Sequence, residues 1–216
     1  MLIDIVFDDS DNIYDIFLFK PNNVSEFSVE FPGKFLDFGF TKGCYYELKG
    51  LRRRKLIFEF SFFNAIDFKN FFYFWLNHKH ATNKFWCPTW FNQFKIINDV
   101  NSGTDTIVCK KTNFVDKYNT IKYIFLFASY GDLSNALLVI RKVIDVSVDD
   151  TINTETFTVN SKFLYNIKKE NILIAGEVIL ARFIKDNMDI KINFIKNYQE
   201  FYITSRVGVI EVLTEY

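Results

Sequence analysis

The sequence has few of the residues on which catalysis usually depends. Its 216 residues include only 2 histidines and 3 cysteines, so the commonest general bases and nucleophiles are scarce. It also contains no Gly-x-Ser-x-Gly elbow, no P-loop and no Gly-x-Gly-x-x-Gly loop, which are local signatures of common hydrolase and nucleotide-binding sites. These absences predict a protein that is not an enzyme.

The three cysteines, Cys44, Cys87 and Cys109, are odd in number and far apart. This pattern is typical of reduced thiols in a cytosolic protein rather than of a disulfide framework. We therefore expect none of the three to be bridged.

An excess of charge is also missing, because 26 basic residues balance 26 acidic ones. Nucleic-acid binding would therefore need a strongly local basic patch. No segment approaches the roughly 18–20 uninterrupted apolar residues of a membrane helix. The first nine residues alternate apolar side chains with acids and lack the basic and apolar blocks of a signal peptide. We expect synthesis in the cytoplasm, no nucleic-acid partner and no membrane insertion.

Aromatic residues are abundant, with 27 Phe and 11 Tyr against 3 Pro and 8 Gly. Phe, Tyr, Ile, Asn and Lys are all frequent here and all have AT-rich codons, so an AT-rich genome accounts for part of this bias. Composition alone is therefore no argument for an aromatic ligand. With 49% hydrophobic and 24% charged residues, the chain is globular in composition.

Many segments alternate apolar and polar residues with a period of two, which indicates half-buried strands. The clearest is Lys55–Phe63, where every second residue from Leu56 to Phe62 is apolar. Similar segments predict strands at Tyr14–Lys20, Ser25–Phe31, Ile121–Phe127, Leu137–Val146, Glu155–Val159, Glu177–Ile184, Asp189–Ile195 and Phe201–Val212. The predicted fold is mainly β, an antiparallel sandwich or open barrel.

One amphipathic helix is predicted over Asp67–Lys79, with Asp67 as its N-cap. Its apolar residues recur at three- and four-residue spacing, and they are Phe68, Phe71, Phe72, Trp75 and Leu76. We expect this aromatic face to pack onto a sheet.

Two polar stretches, Asn98–Thr106 and Asp116–Thr120, interrupt the middle of the chain. They suggest a β-rich domain over residues 1–112, containing the helix near 67–79, and an all-β domain over residues 113–216. A single domain remains an alternative, because a β ladder could run through this point.

The one cluster that resembles a catalytic or metal site is His78-Lys79-His80 with Cys87. Zinc needs three or four ligands at usable spacing, and no Cys-x-x-Cys or His-Glu-x-x-His pattern is present. The favoured interpretation is two exposed histidines at a helix end. Cys87 lies between Trp86 and Pro88, where a thiol is usually a small buried hydrophobe.

Two further groups of charged residues have structural and functional interpretations. The acids Asp8-Asp9, Asp11 and Asp149-Asp150 could hold calcium or hydrolyse sugars, but turn formation is favoured. The basic residues Lys49 and Arg52–Lys55 could contact phosphate, solvate or protect a strand edge, or pair with an acidic neighbour. The sequence predicts no catalytic, cofactor-binding or metal-binding residue and no cofactor.

The order of elements between Arg53 and Trp90 resembles tail-tip proteins of tailed bacteriophages and gene transfer agents. The similarity comprises an Arg-rich strand, the Phe62-Phe63 pair, the aromatic helix and Phe85-Trp86-Cys87-Pro88-Thr89. The closing part, with Ala181-Arg182-Phe183, Asp186, Met188-Asp189-Ile190 and a final strand to Val212, resembles the end of the same group. The glycine expected after the helix is absent, and His78-Lys79-His80-Ala81 stands in its place.

The resemblance implies a non-enzymatic distal-tail or baseplate-hub-adaptor protein. Such a protein would form a ring at the end of the tail tube, contact other tail structural proteins and be located in the virion. Two alternatives remain at this point. A carbohydrate-binding β-sandwich would use Trp75, Trp86 or Trp90 as platforms, and a hydrolase would use Cys87 with His78 or His80.

Overall fold

The computed structural model describes residues 1–7, 14–30, 33–36, 44–47, 53–79, 83–112, 123–130, 135–185, 188–195 and 200–212. The strands are β1 Leu2–Ile5, β2 Asp15–Ile16, β3 Asn23–Glu30, β4 Gly33–Leu36, β5 Cys44–Glu47, β6 Arg53–Phe62, β7 Phe85–Pro88, β8 Thr106–Lys110, β9 Tyr123–Ser129, β10 Ala136–Asp149, β11 Thr154–Val159, β12 Ile172–Phe183, β13 Asp189–Ile195 and β14 Glu200–Glu211. The helix α1 spans Ala65–His78, and a 3₁₀ turn spans Lys169–Asn171. The prediction of a mainly β, antiparallel fold with one aromatic helix is confirmed.

The chain forms two compact units, and none of the three boundaries between them lies near residue 112. The first unit comprises residues 1–18 and 86–179, and the second comprises residues 19–85 and 180–216. The position proposed from the polar stretches lies inside the first unit, because β8 pairs with β11 across it. The stretch Asp116–Thr120 lies outside the described residues.

In the first unit, β9 and the first half of β10 pair antiparallel, with Leu138 opposite Phe127. Residues 123–128 of β9 and 136–140 of β10 are continuous apolar runs in which every residue is buried, as expected for strands covered on both faces. The second half of β10 pairs with β11, and β11 pairs with β8. Strand β1 pairs parallel to β10, with Asp4 opposite Val139. These strands enclose a core that includes Phe94, Ile107, Leu126, Val139, Phe157 and Phe163.

Gly176 in β12 lies under the backbone of the segment that follows β7. A Cβ atom at this position would be 2.4 Å from the Phe91 carbonyl oxygen and 2.9 Å from Gln93 Oε1. The same segment binds the edge of β12, since Gln93 Oε1 accepts from the Glu177 N–H and Asn92 Oδ1 accepts from the Ala175 N–H. Glycine is therefore required here by close backbone approach.

In the second unit, β6 lies between β3 and β14, both antiparallel to it. The other edge of β14 pairs with β13 and with the last residues of β12. Along β6, Leu56, Phe58 and Phe60 are buried, as the period-two pattern predicts.

The helix packs on the sheet of the second unit, as predicted. The ring centroid of Phe71 lies 4.8 Å from that of Phe60 and 4.9 Å from that of Phe62, and Phe68 contacts Phe62 at 5.6 Å. Phe71 and Trp75 are buried, whereas Phe72 is half-buried.

The predicted N-cap was wrong by three residues. Asn64 has the extended backbone of a capping residue, and its Oδ1 accepts from the Ile66 N–H at 2.7 Å. Asn is as good an N-cap as Asp, and Asp67 instead lies in the first turn, where its charge favours the helix dipole. In the described part of the chain, no helix is both long and apolar enough to cross a membrane.

Candidate functional site

His78, the first histidine of the His-Lys-His cluster, is buried at the end of α1 rather than exposed. Its Nδ1 lies 2.9 Å from the Phe74 carbonyl oxygen, and its ring stacks on Phe74 with a centroid distance of 4.2 Å. The ring of Phe85 contacts the His78 ring edge-on, with a centroid distance of 5.5 Å. The prediction of an exposed side chain is therefore wrong for His78, because the aromatic rings enclose it. His80 lies outside the described residues.

Cys87 is fully buried in β7, as expected for a thiol in an apolar segment. Its Sγ lies 3.5 Å from the Pro88 carbonyl oxygen, and burial raises the pKa of the thiol well above its ordinary value. The thiolate, which is the nucleophilic form, is thus strongly disfavoured. Cys87 belongs to the first unit and His78 to the second.

A second buried thiol, Cys109 in β8, lies opposite Glu155 in β11. Glu155 is also fully buried, and its Oε2 accepts a hydrogen bond from Thr112 Oγ1 at 2.8 Å. Burial, and secondarily the negative charge of Glu155, raise the pKa of Cys109 from 9.0 to about 12. Cys87 and Cys109 are both free thiols, and the side chain of Cys44 lies outside the described set.

We expect Cys109 to resist alkylation in the folded protein. A pKa of about 12 instead of 9.0 lowers the thiolate fraction at pH 8 roughly a thousandfold. Iodoacetamide labelling followed by peptide mass spectrometry, in buffer and in guanidinium, measures this protection. Equal labelling rates under both conditions would contradict it, and Glu155→Gln should speed labelling of the folded protein.

The same shift predicts a pH dependence of stability. Between about pH 9 and pH 12 the unfolded chain loses a thiol proton that folded Cys109 retains. The unfolded state then binds fewer protons, so the free energy of unfolding should fall as pH rises through this range. Denaturant titrations of the wild type and Cys109→Ala should show a smaller alkaline decline in the variant.

The acidic pair Asp149-Asp150 at the end of β10 forms a turn, as predicted. Asp149 Oδ1 accepts from the backbone N–H groups of Thr151 and Ile152, and Asp150 pairs with Lys111 at 2.5 Å. Asp8, Asp9 and Asp11 lie outside the described residues. No group of three or more potential metal ligands occurs in the part of the chain that the structure describes.

The basic run pairs with an acid of its own unit. Arg54 donates through Nε at 2.9 Å and Nη2 at 2.7 Å to the two carboxylate oxygens of Glu211, a bidentate geometry. The backbone N–H of Arg54 donates to the same carboxylate. Lys49 and Arg52 lie outside the described residues, and Lys55 lines a cleft of the second unit.

The first unit contains a buried ion pair that the sequence did not reveal. Arg141 of β10 donates from Nη2 to Asp4 Oδ1 at 2.6 Å and from Nη1 to the Asp4 carbonyl oxygen at 2.8 Å. The side chains are 1% and 3% exposed. The guanidinium also lies over the Phe163 ring, 5.3 Å from its centroid. This pair ties β1 to β10.

The three tryptophans are core residues, as the sequence favoured. Trp75, Trp86 and Trp90 are all at most 7% exposed, so none offers a platform to a sugar. Trp90 has a positive φ of 58°, which is strained for a bulky residue. Its indole Nε1 has no hydrogen-bond partner among the described groups, while its ring contacts Phe125 and Phe127.

The second unit contains a cleft of about 220 Å³. It is lined by apolar side chains and by charged side chains of β6, β13, β14 and Lys185, and three of the four charged residues are exposed. A second feature of this unit is strand β13, which pairs with β14 and with no other strand in the described ranges. Its residues Ile190 and Ile192 are 40% and 59% exposed.

No protein-family model matches this chain, and no curated protein matches it. Its function therefore has to be inferred from its own residues.

The sequence did not identify the cleft, because its residues are far apart along the chain. Lys55, Trp75, Ile184 and Arg206 meet only through strand pairing and helix packing. The one local signal is Gly208 within the alternating strand β14, since a glycine in a strand often marks a close approach. A Cβ atom there would lie 2.8 Å from Ile184 Cδ1.

Proposed function

We propose that this protein is a non-enzymatic structural subunit of a phage-like tail tip, of the distal-tail or baseplate-hub-adaptor kind. It would be made in the host cytoplasm, form a ring with copies of itself in the virion, and link the tail tube to other tail proteins. The segment from Arg53 to Trp90 resembles tail-tip proteins of tailed bacteriophages and gene transfer agents, and this resemblance suggests a tail tip as the assembly. The exposed apolar edge of β13 supports the proposal most directly.

Strand β13 has the properties of an association surface. Its pairing register places Ile192 opposite Ile203 and Ile190 opposite Ser205, and both partners in β14 are buried. The two isoleucines therefore lie on the same face of the sheet as buried residues of β14, but they are themselves exposed at its edge. An edge strand with exposed apolar side chains is a template for pairing or packing with another chain. A neighbouring subunit that covered it would remove this apolar area from water.

A single charge at this edge should weaken association. Ile192→Lys places an ammonium group in a contact that needs apolar packing, while the side chain is exposed enough in one chain to leave folding intact. Light scattering of the wild type, alone and co-expressed with the products of neighbouring genes, should give an assembly mass that the variant loses. Stable contacts of this kind bury more than about 1,000 Å².

Ile152→Lys is the matched control, because Ile152 is 65% exposed and lies in the turn after β10 in the other unit. It should assemble as the wild type does. A wild-type chain that remains monomeric with every neighbour and is absent from purified particles would refute the proposed function. Equal loss of assembly in both variants would place the contact elsewhere than β13.

A further inference from the structure

The cleft of the second unit lies where two strands succeed one another along the same edge of β14. Strand β12 pairs with Val209–Glu211, and β13 pairs with Glu200–Arg206, while β6 occupies the opposite edge. Among the described residues, Val207 and Gly208 therefore have no ladder partner on this side, although the Ile184 N–H donates to the Gly208 carbonyl oxygen at 2.9 Å. The interruption opens the sheet and leaves the cleft.

The walls and the opening of the cleft differ in chemistry. Ile57, Trp75, Phe183, Ile184 and Val207 supply apolar surface. Lys55, Lys185 and Arg206 supply positive charge, and Asp189 is the acid among the described lining residues. A lining that combines apolar side chains with charged groups suits a small molecule that has both an apolar body and a charged group, because the polar groups of such a site fix the orientation of the ligand.

We propose that this cleft binds a small apolar carboxylate, with an aromatic or short alkyl body inside and the carboxylate at the opening. Its volume of about 220 Å³ is larger than the roughly 150 Å³ cavity that accommodates benzene. A ring with a two- or three-carbon chain therefore fits. Among the described residues, the three cations Lys55, Lys185 and Arg206 outnumber the two acids Asp189 and Glu59, the second of which pairs with Arg206. This excess of positive charge favours an anion over a cation or a neutral ligand.

Arg206 is the residue placed to hold the carboxylate. Its Nε lies 3.9 Å from Glu59 Oε1, and both side chains are about half exposed, so that pair is weak. A guanidinium has five N–H donors in a fixed fork, which leaves donors for a second carboxylate. Asp189 lies directly opposite Arg206 in the ladder, so its charge competes with that of the ligand.

The test uses 3-phenylpropionate as the probe and isothermal titration calorimetry of the full chain at low salt. We expect saturable binding with one site, weaker binding of the neutral 3-phenylpropanamide, and none of acetate. The comparison with the amide measures the contribution of the carboxylate charge. The comparison with acetate measures the contribution of the apolar body. Absence of binding at millimolar 3-phenylpropionate, or equal affinity for the amide, would overturn the proposal.

Variants that change one charge test whether the affinity for 3-phenylpropionate rises or falls as expected. This test does not require the cleft to be filled. Arg206→Gln should weaken 3-phenylpropionate binding about threefold and Asp189→Asn should strengthen it by a similar factor, since both groups are partly solvated. Lys110→Gln, an exposed lysine of the first unit, should change nothing. Weaker binding in Asp189→Asn, or equal loss in Lys110→Gln, would contradict an anion held at this opening.

Filling the cleft tests the location of the apolar body. Ile57→Trp should abolish binding, and Ile57→Val should retain it, with thermal melting used to confirm that both variants fold. A folded Ile57→Trp variant that binds like the wild type would place the ligand elsewhere and refute the proposal. If that variant does not fold, the charge variants decide the result.

Discussion

Replacing Arg141 with methionine is expected to lower the free energy of unfolding by about 3–5 kcal/mol. The variant leaves Asp4 as an unpaired carboxylate at a site where its side chain is 3% exposed. It also removes the donors to the Asp4 and Ile140 carbonyl oxygens. Urea titration monitored by circular dichroism measures the loss.

The double variant Asp4→Leu, Arg141→Met should be less destabilised than Arg141→Met alone. Removing both charges removes the desolvation cost, whereas removing one leaves it uncompensated. Lys111→Met is the matched control, because it breaks an ion pair with Asp150 whose carboxylate is 80% exposed and should cost less than about 1 kcal/mol. Equal losses for Arg141→Met and Lys111→Met would show that burial does not govern the effect.

Strand positions could be predicted from the sequence because alternation follows directly from the geometry of a strand. The predicted segment Lys55–Phe63 corresponds to β6 at Arg53–Phe62, and Asp189–Ile195 corresponds to β13 with the same bounds. The first strand prediction, Tyr14–Lys20, was too long, since β2 covers Asp15–Ile16. Alternation shows which residues share a face of a strand. It does not show how many of those residues pair with a neighbouring strand.

Pairing between distant strands could not be predicted. Asp4 and Arg141 are 137 residues apart, and each looks like an ordinary surface charge in its own segment. Their burial follows from the parallel pairing of β1 with β10, which no local pattern encodes. The position near residue 112 lies inside one unit for the same reason, because β8 and β11 pair across the polar middle of the chain.

In the candidate sites, too, some features follow from the local sequence and others depend on contacts between distant segments. The burial of Cys87 follows from its apolar neighbours and was predicted. The burial of His78 was not, because Phe85 reaches its ring from outside the helix. The cleft beside Gly208 depends on where β12 and β13 end along β14, and strand ends are the least predictable feature of a sequence.

Phe71→Ala should be the most destabilising single truncation in the helix, with a loss of about 3–5 kcal/mol. Its side chain is 0% exposed, and its ring contacts Phe60, Phe62 and Phe19, the last edge-on at 5.3 Å. Truncation leaves a cavity bounded by rings of β6 and by Phe19, which lies between β2 and β3. Those rings cannot all move inward without losing contacts with one another.

Phe72→Ala is the matched control, because it removes the same atoms from the next residue of the same helix. Helical periodicity placed both residues on the packed face, but Phe72 is half-buried and its ring stacks on Phe68 and Trp75 within the helix. The cost of Phe72→Ala should therefore be clearly smaller, since partial exposure reduces both the transfer loss and the cavity. Both variants change helix propensity equally, so the difference between their free energies of unfolding isolates the packing of Phe71 on β6 and against Phe19. A difference near zero would mean that α1 does not use Phe71 to pack on that strand.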